Sequence, residues 1–340
     1  MAQNTEMAKT FLTLIVLLLF GKSYTQSPEP KEAHNAVENT NSHKMERTSF
    51  KSKIYRTGIR ITGIKKIIEK EFQTDDFSRN SKAAAIPDKV QRQCYTLHRK
   101  SATGRAIWEL RKKDIEPQRY VLYLHGGTFV HNITKYDWEL LNRIVQYTGY
   151  GIIVPDYPLA PEHNYKDVYC MIAPIYEELL RRVGSESIVL MGFSAGGGLA
   201  LSLAQYANDK SLAQPSQIIL LSPLLDATLQ NPEIAAIDKH DPYLGIKGIQ
   251  KALLAYSGGD NLGNYMISPM NGPVQGLAPI HLFMGTHEIL LPDARKLVAL
   301  AKKQNVHIEY YEYPEMYHAW VFLNMPEAKN VFNKLVNILQ

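Results

Sequence analysis

The spacing of apolar and polar positions changes along the chain, and the main change falls after Pro87. Two stretches with strand-like alternation, Arg92–His98 and Arg105–Arg111, flank a turn at Ala102–Gly104. Six short apolar runs follow, as is typical of strands buried on both faces: Tyr120–Leu124, Gly151–Val154, Ser187–Met191, Gln217–Leu221, Ile280–Met284 and Ile308–Tyr313.

Helical stretches separate most of these runs: Tyr136–Thr148, Lys166–Val183, Gly196–Asn208, Pro292–Lys303 and Pro326–Leu339. Apolar strands alternating with helices predict an α/β fold, with a mostly parallel central sheet covered on both faces. The region Asp226–Met270 interrupts the alternation and contains a helical stretch near Gly248–Tyr256. A long insertion between two sheet strands is well placed to form a cap, so we predict a cap insertion at about 227–270.

An amphipathic helix is also predicted before Pro87. Its apolar residues are spaced by 4, 7, 3 and 4 positions: Phe50, Ile54, Ile61, Ile64 and Ile68. Gly58 and Gly63 weaken this prediction, because glycine disfavours helix interiors. We expect the helix to dock its apolar residues on the main domain and to leave its lysines in water. A helix that lies on a membrane surface is the alternative.

Composition and charge narrow the function classes. The 340 residues are 45% hydrophobic and 21% charged, as in a folded globular protein. Residues 44–70 contain nine basic and two acidic residues, a net charge of +7, so the rest of a chain of net charge +5 carries −2. The body therefore lacks the broad basic surface of a nucleic-acid-binding protein. Peripheral membrane contact through the basic segment 44–70 is kept as the alternative to a docked helix.

The two cysteines, Cys94 and Cys170, are too few for a disulfide-dense scaffold. Their distance in sequence leaves two alternatives open. One is a disulfide formed in an export compartment, and the other is two unpaired buried thiols.

The N-terminus carries the apolar run Phe11–Phe20, preceded by Lys9. Ten helical residues span about 15 Å, roughly half a bilayer core, which favours a signal peptide over a transmembrane helix. Ser23 and Thr25 suit the −3 and −1 positions of a cleavage before Gln26. We therefore expect residues 1–25 to be a signal peptide and the protein to be secreted or periplasmic, with a retained anchor as the alternative. The polar residues 26–45 predict a disordered linker.

The sequence Gly192-Phe193-Ser194-Ala195-Gly196 has the form G-x-S-x-G. It follows a predicted strand and opens a predicted helix, which is the setting that a nucleophile elbow requires. The small residues around Ser194 suit a tight turn in which strand and helix crowd together. Ser194 is therefore the candidate nucleophile, and a serine that merely caps a helix is the alternative.

A second glycine-rich turn, His125-Gly126-Gly127-Thr128, follows the strand YVLYL. Acyl transfer requires an oxyanion hole, which is usually built from backbone N–H groups that glycine leaves accessible. We predict an oxyanion hole formed by the N–H groups of Gly126, Gly127 and Ala195, with His125 shaping the loop. An ordinary glycine turn between strand and helix is the alternative.

Four motifs in register resemble the hormone-sensitive-lipase-like family of α/β-hydrolases: HGGT at 125–128, DYPLAPEH at 156–163, GFSAGGG at 192–198 and YHAW at 317–320. The resemblance extends over about residues 48–338, and the chain is most similar to small bacterial carboxylesterases and acetyl esterases. It implies an α/β-hydrolase fold with a helical cap. On this basis residues 46–86 are expected to form N-terminal cap helices, and residues 87–340 the catalytic domain with its cap insertion.

The resemblance also implies a catalytic acid and a histidine after the serine in chain order. The acid belongs to a G-x-x-D-x-L setting, where this chain has Gly285-Thr286-His287-Glu288-Ile289-Leu290. Glu288 is therefore expected as the acid, and Asp293, which could instead cap the next helix, is the alternative. His318 lies in YHAW after the last strand, where the family has its general base. Four further acidic residues are expected only to fix loops through backbone hydrogen bonds: Asp156, Glu162, Asp226 and Asp241.

These observations predict a serine carboxylesterase that hydrolyses short-chain acyl esters, such as acetyl esters, of a small molecule through an acyl-enzyme. No cofactor is implied, and no metal, because His287-Glu288 is not followed by the x-x-His of a zincin. A ligand-binding protein on the same fold and a membrane-surface protein are the competing hypotheses. The sequence specifies neither the alcohol nor the oligomeric state.

Overall fold

The computed structural model describes residues 43–44, 47–73 and 82–340. The predicted signal peptide and most of the predicted linker lie outside the described residues. Within these residues, nine strands form one sheet: β1 His43–Lys44, β2 Cys94–Lys100, β3 Ala106–Lys112, β4 Tyr120–Leu124, β5 Gly151–Pro155, β6 Ile188–Phe193, β7 Gln217–Leu221, β8 Ile280–Gly285 and β9 Ile308–Tyr313. The α-helices of the described residues are α1 Phe50–Thr62, α2 Ile64–Gln73, α3 Asp88–Gln93, α4 Lys135–Thr148, α5 Tyr165–Val183, α6 Ala195–Asp209, α7 Ile234–Asp238, α8 Ile246–Ser257, α9 Leu291–Lys303 and α10 Pro326–Leu339.

The spatial order of the sheet is β1-β9-β8-β7-β6-β4-β5-β3-β2. The strands from β1 to β5 in this order pair in parallel, whereas β3 pairs antiparallel with both β5 and β2. The prediction of a mostly parallel sheet is therefore confirmed, and the structure places the antiparallel pair β2–β3 at one edge. All parallel strands end at the same edge of the sheet, so the loops after β4, β6, β8 and β9 meet there.

The central strands are apolar throughout because each face of the sheet supports its own core. In β4, Leu122 and Leu124 belong to one core, while Val121 and Tyr123 belong to the other. The first core also contains buried residues of α5, α6, α8 and α9, and the second contains buried residues of α4 and α10. Alternate side chains of one strand thus serve two cores, which removes the polar face that a one-sided sheet would show.

Three predicted boundaries near the N-terminus are wrong. The strand expected from Arg92 begins at Cys94, because residues 88–93 form the short helix α3. The predicted linker 26–45 contains β1, which pairs in parallel with β9 at His43–Tyr311. The single helix expected over 50–68 is two helices, because Gly63 adopts the left-handed conformation at φ 64° and ends α1.

The break at Gly63 divides the predicted apolar face. Ile64 and Ile68 on α2 line the cavity described below, whereas Phe50, Ile54 and Ile61 on α1 are exposed to solvent. The expectation that all five residues dock on the main domain is therefore wrong for the three on α1.

Other residues attach α1 and α2 to the domain. Glu327 on α10 is fully buried and accepts hydrogen bonds from the Ser49 N–H (2.6 Å), the Ser49 hydroxyl (3.0 Å) and the Ser52 hydroxyl. Helix α2 packs against α8 of the insertion, where Gly248 permits close approach: a Cβ there would lie 3.2 Å from the Phe72 ring. The assigned limits of the cap segments, 46–86 and about 227–270, stay predictions.

Neither cysteine is in a disulfide. Cys94 is buried and Cys170 is exposed, so the expectation of two buried thiols is right only for Cys94. Within the described ranges, no helix is long and apolar enough to cross a bilayer.

Candidate active site

Ser194 lies at the turn between β6 and α6, with φ 55° and ψ −120°. Few non-glycine residues adopt such a conformation, which costs on the order of 1–3 kcal/mol and is held by the surrounding fold. Gly192 and Gly196 make the turn feasible, because a Cβ on Gly192 would clash with the Gly196 carbonyl and one on Gly196 with the Leu124 carbonyl. The strand–turn–helix setting predicted around Ser194 is therefore confirmed, and the strain is centred on the serine itself.

The structure brings Ser194, His318 and Glu288 together although they lie far apart in sequence. His318 Nε2 is 2.9 Å from Ser194 Oγ, and His318 Nδ1 is 3.0 Å from Glu288 Oε2. All three side chains are buried. The imidazole packs against the Phe193 ring at 5.1 Å between centroids, which helps to fix its orientation.

Glu288 is held by three donors on its other oxygen. Oε1 accepts hydrogen bonds from the Gly285 N–H (2.6 Å), the Ser222 hydroxyl (2.8 Å) and the Trp320 indole N–H (3.1 Å). A carboxylate at zero exposure requires such donors, because burial without them disfavours the charge. This arrangement leaves Oε2 to accept the His318 Nδ1–H.

Asp293, the alternative acid, lies elsewhere. It is buried in the first turn of α9, and its Oδ1 accepts a hydrogen bond from the Asn231 side chain at 2.9 Å. Among the described residues, no hydrogen bond joins Asp293 to His318. Burial raises the pKa of Asp293 to about 6, which is the behaviour of a carboxyl with little compensation for its charge.

The raised pKa of Asp293 predicts a pH-dependent stability. The folded state binds this proton more tightly than the unfolded chain, whose aspartate pKa is about 3.9, so stability falls as pH rises from about 4 through 6. Asp293→Asn keeps an oxygen acceptor for Asn231 and removes the charge. We expect this variant to gain about 1–3 kcal/mol of unfolding free energy at pH 8 and far less at pH 4, measured by urea denaturation. An equal change at both pH values would contradict this account.

The predicted oxyanion loop lies beside Ser194. Gly126 and Gly127 line the same cavity as Ser194 and His318, and the hydrogen bonds of the described residues include none donated by the N–H of Gly126, Gly127 or Ala195. Gly127 has φ 114°, a region that L side chains rarely adopt, and a Cβ there would clash with the His131 carbonyl. These three N–H groups are therefore available to a substrate oxygen.

His125 supports this loop. It is fully buried, its Nδ1 lies 2.7 Å from the Gly126 carbonyl, and its ring stacks on Tyr157 at 4.1 Å between centroids. The Tyr157 hydroxyl donates to the His125 carbonyl at 2.7 Å. Burial lowers the pKa of His125, so the imidazole is neutral at pH 7 and suits a structural role.

The other acidic residues fix loops in different ways. Asp226 accepts a backbone hydrogen bond from Thr228, as expected. Asp156 instead accepts from the side chains of Arg105 (3.0 Å) and Asn132 (2.6 Å), so the expectation of backbone donors is wrong there. Glu162 is exposed.

Asp241 joins the insertion to the turn that carries Glu288. Its carboxylate accepts hydrogen bonds from the N–H groups of Tyr243 (2.9 Å), Leu244 (3.0 Å) and Ile289 (3.4 Å). Burial raises its pKa to about 6. Tyr243 and Leu244 line the cavity over Ser194, so one buried carboxyl connects the insertion with the turn that carries Glu288.

A cavity of about 610 Å³ opens above Ser194 and His318. Most of its wall is apolar and comes from α1, α2 and the loops around the serine: Ile59, Ile64, Ile67, Ile68, Phe72, Phe193, Tyr243, Leu244, Phe322 and Leu323. Glu71, Lys82 and His131 add polar groups. Among the described residues, no group of three His, Cys, Asp or Glu is arranged to hold a metal ion.

A parallel sheet with a strained serine after one strand, a histidine after the last strand and a buried carboxylate between them defines an α/β-hydrolase. Residues 121–322 match the model of a family described by its alpha/beta hydrolase fold. The chain belongs to this family, the hormone-sensitive-lipase-like α/β-hydrolases, and it is a carboxylic ester hydrolase.

Several similar proteins are named as esterases or as an acetyl-hydrolase. An esterase of Acinetobacter venetianus is 31% identical over 222 residues, which are 64% of this chain and 73% of that protein. An acetyl-hydrolase of Streptomyces hygroscopicus is 26% identical over 62% of this chain and 72% of its own length. The crystal structure of a putative esterase from Staphylococcus aureus is 26% identical, with a TM-score of 0.71 over 83% of this chain and 92% of that one.

The sequence did not identify several residues of the site. No motif linked Ser222 to Glu288 or Asp241 to the Ile289 N–H, because both bonds join segments distant in the chain. Trp320 belongs to YHAW, and its indole N–H bond to Glu288 is a role that the motif position could have suggested. Tyr243 and Leu244 could not be placed over Ser194 without the path of the insertion.

Proposed function

We propose that the chain is a serine carboxylesterase that hydrolyses short-chain acyl esters, acetyl esters included, through an acyl-enzyme. The observation that carries this proposal is the continuous line of hydrogen-bonding distances from Ser194 Oγ through His318 to Glu288, 2.9 Å and 3.0 Å. A nucleophile, a base and an orienting acid in contact form the arrangement that activates a serine.

In the first half-reaction, Ser194 Oγ forms a bond to the ester carbonyl carbon while His318 Nε2 takes the serine proton. The tetrahedral intermediate then expels the alcohol oxygen, which receives that proton from His318. In the second half-reaction, His318 takes a proton from a water molecule while the water oxygen attacks the acyl carbon. The second tetrahedral intermediate then releases Ser194 Oγ, which takes the proton back from His318. Glu288 keeps the Nδ1–H of His318 in place and stabilises the imidazolium of each intermediate.

The negative oxygen of each intermediate would be bound by the N–H groups of Gly126, Gly127 and Ala195. Such donors stabilise charge that is largest in the transition state, and one donor contributes roughly 10²–10³ in rate. The His125–Tyr157 stack supports the loop of Gly126 and Gly127, so these two donors are positioned before a substrate binds.

The cavity supports a neutral, partly apolar ester as the substrate. Its wall is mostly aliphatic and aromatic, and the cap isoleucines lie over the serine. The similarity to a protein named an acetyl-hydrolase supports a short acyl group.

Two measurements test this proposal. A fluorophosphonate should label Ser194, found by peptide mass, because only an activated serine reacts rapidly with it. In a series of p-nitrophenyl acetate, butyrate, octanoate and laurate, kcat/KM should be highest for the short esters and at least about 10-fold lower for laurate. A flat profile would refute the short-chain preference alone. Absence of both labelling and turnover would favour the ligand-binding hypothesis.

A further inference from the structure

Helix α1 is apolar on two opposite sides. Phe50, Ile54 and Ile61 fall within about 40° of one another around the helix at 100° per residue. They are 79%, 51% and 75% exposed. The opposite side packs inward through Ser52, Tyr55 and Ile59. Packing on the domain therefore accounts for the apolar residues on one side of α1 only. We term the exposed apolar residues on the other side, Phe50, Ile54 and Ile61, the outer stripe.

Basic residues border the outer stripe. Lys51 and Lys53 project about 80° to either side of its centre, and both are exposed. Helix α1 contains no acidic residue. Arg56 and Arg60 contact the protein: an Arg56 guanidinium nitrogen lies 3.3 Å from His287 Nδ1, and the exposed Arg60 donates to the His240 carbonyl at 3.3 Å.

We propose that α1 docks on a lipid bilayer that contains anionic lipid, with the outer stripe entering the interface and Lys51 and Lys53 meeting the headgroups. A helix that lies in the membrane plane has apolar side chains flanked by lysines. The lysine stems run along the apolar surface and place the ammonium groups among the lipid headgroups. The charge of the exposed Lys51 and Lys53, with no acidic residue on α1 to offset it, complements an anionic surface. A second copy of the chain fits less well, because it would bring the same lysines against each other.

The attachment of α1 to the domain would place a bound membrane close to the active-site cavity. Its inner side is fixed to α10 through Glu327, and Ile59 on that side lines the cavity. Bound lipid would therefore meet a helix that is already folded and whose other side faces the active site.

Insertion can be measured directly with tryptophan depth quenching on the full chain. Phe50→Trp places a fluorophore in the outer stripe, and Ile115→Trp is the matched control. Ile115 is 47% exposed in the loop between β3 and β4, at the end of the sheet opposite Ser194. Vesicles of phosphatidylcholine with about a third phosphatidylglycerol, brominated in the acyl chains, should quench the added fluorophore of the Phe50→Trp variant. The Ile115→Trp variant should show no quenching beyond that of the native tryptophans. Equal responses of the two variants, or none, would overturn the proposal.

Sedimentation with unbrominated vesicles of the same composition tests how much the outer stripe and the two lysines contribute to membrane binding. The triple variant Phe50→Ser, Ile54→Ser and Ile61→Ser should weaken partitioning at least about 10-fold. Lys51→Gln with Lys53→Gln should weaken binding to the anionic vesicles and remove much of its salt sensitivity. Ile115→Ser should bind as the parent does. Hydrolysis of soluble p-nitrophenyl acetate should stay within about 2-fold for all variants, because none of these residues lines the cavity.

Two outcomes would overturn docking of α1 on a bilayer. If the triple variant sediments as the parent does, binding belongs to another segment, such as the apolar residues 11–20, which every variant retains. If light scattering without lipid shows that the parent self-associates and the triple variant does not, the outer stripe is an interface between copies. Either result contradicts bilayer docking by α1.

Discussion

Ser194→Ala should lower kcat/KM for p-nitrophenyl acetate by at least about 10³-fold and leave the protein folded. The serine oxygen lies 2.9 Å from His318 Nε2 and forms the covalent bond of the proposed mechanism, so its removal leaves only binding and oxyanion stabilisation. Alanine retains the Cβ and the strained backbone at φ 55°, so the turn itself should persist. Initial rates with a range of ester concentrations give the result.

A second variant makes this prediction specific. His318→Ala should be about as damaging as Ser194→Ala, and the double variant should be little worse than either, because the two groups act as a unit. The melting temperature of Ser194→Ala should stay within a few degrees of the parent. If this variant kept more than about a tenth of the parent rate, Ser194 could not be the nucleophile.

Glu288→Gln should lower kcat by about 10²–10⁴-fold with a smaller change in KM. The carboxylate uses Oε1 for Gly285, Ser222 and Trp320, and Oε2 for His318. A glutamine must place an NH₂ group at one of these positions, where every neighbour is a donor. Either the cage or the orientation of His318 is then lost, and the imidazolium loses its counter-charge.

Asp293→Asn is the matched control for Glu288→Gln, since each changes one buried carboxyl into its amide. We expect Asp293→Asn to keep kcat within about 3-fold of the parent, because its hydrogen bond runs to Asn231 and away from His318. Near-ultraviolet circular dichroism would show that both variants are folded. The reverse pattern, with Asp293→Asn the severe change, would move the catalytic acid to Asp293.

Local patterns were sufficient to place the sheet and two residues of the site. The central strands are apolar because both of their faces are covered, and this signal needs no knowledge of distant segments. Ser194 and His318 lie in short motifs that follow predicted strands, so their positions at one edge of the sheet could be expected.

Long-range contacts explain what the sequence left open. Glu288 and Asp293 are five positions apart, and the difference between them depends on Ser222 and Trp320, which are 66 and 32 residues from Glu288. The side of α1 that docks was mispredicted because Gly63 breaks the helical period and turns α2 relative to α1. The spacing of apolar residues within 50–68 does not show that the chain changes direction at Gly63.

The three hydrogen bonds of Asp241 bear on how this enzyme can be recombined with its relatives. A chimera that took a foreign insertion but kept the native 288–289 turn would pair a new loop with the Ile289 N–H that Asp241 now binds. The insertion and the acid turn therefore have to be exchanged together, and β8, which lies between them, has to stay compatible with β7 and β9. Substrate range could then be altered by this joint exchange without moving the acid away from the histidine.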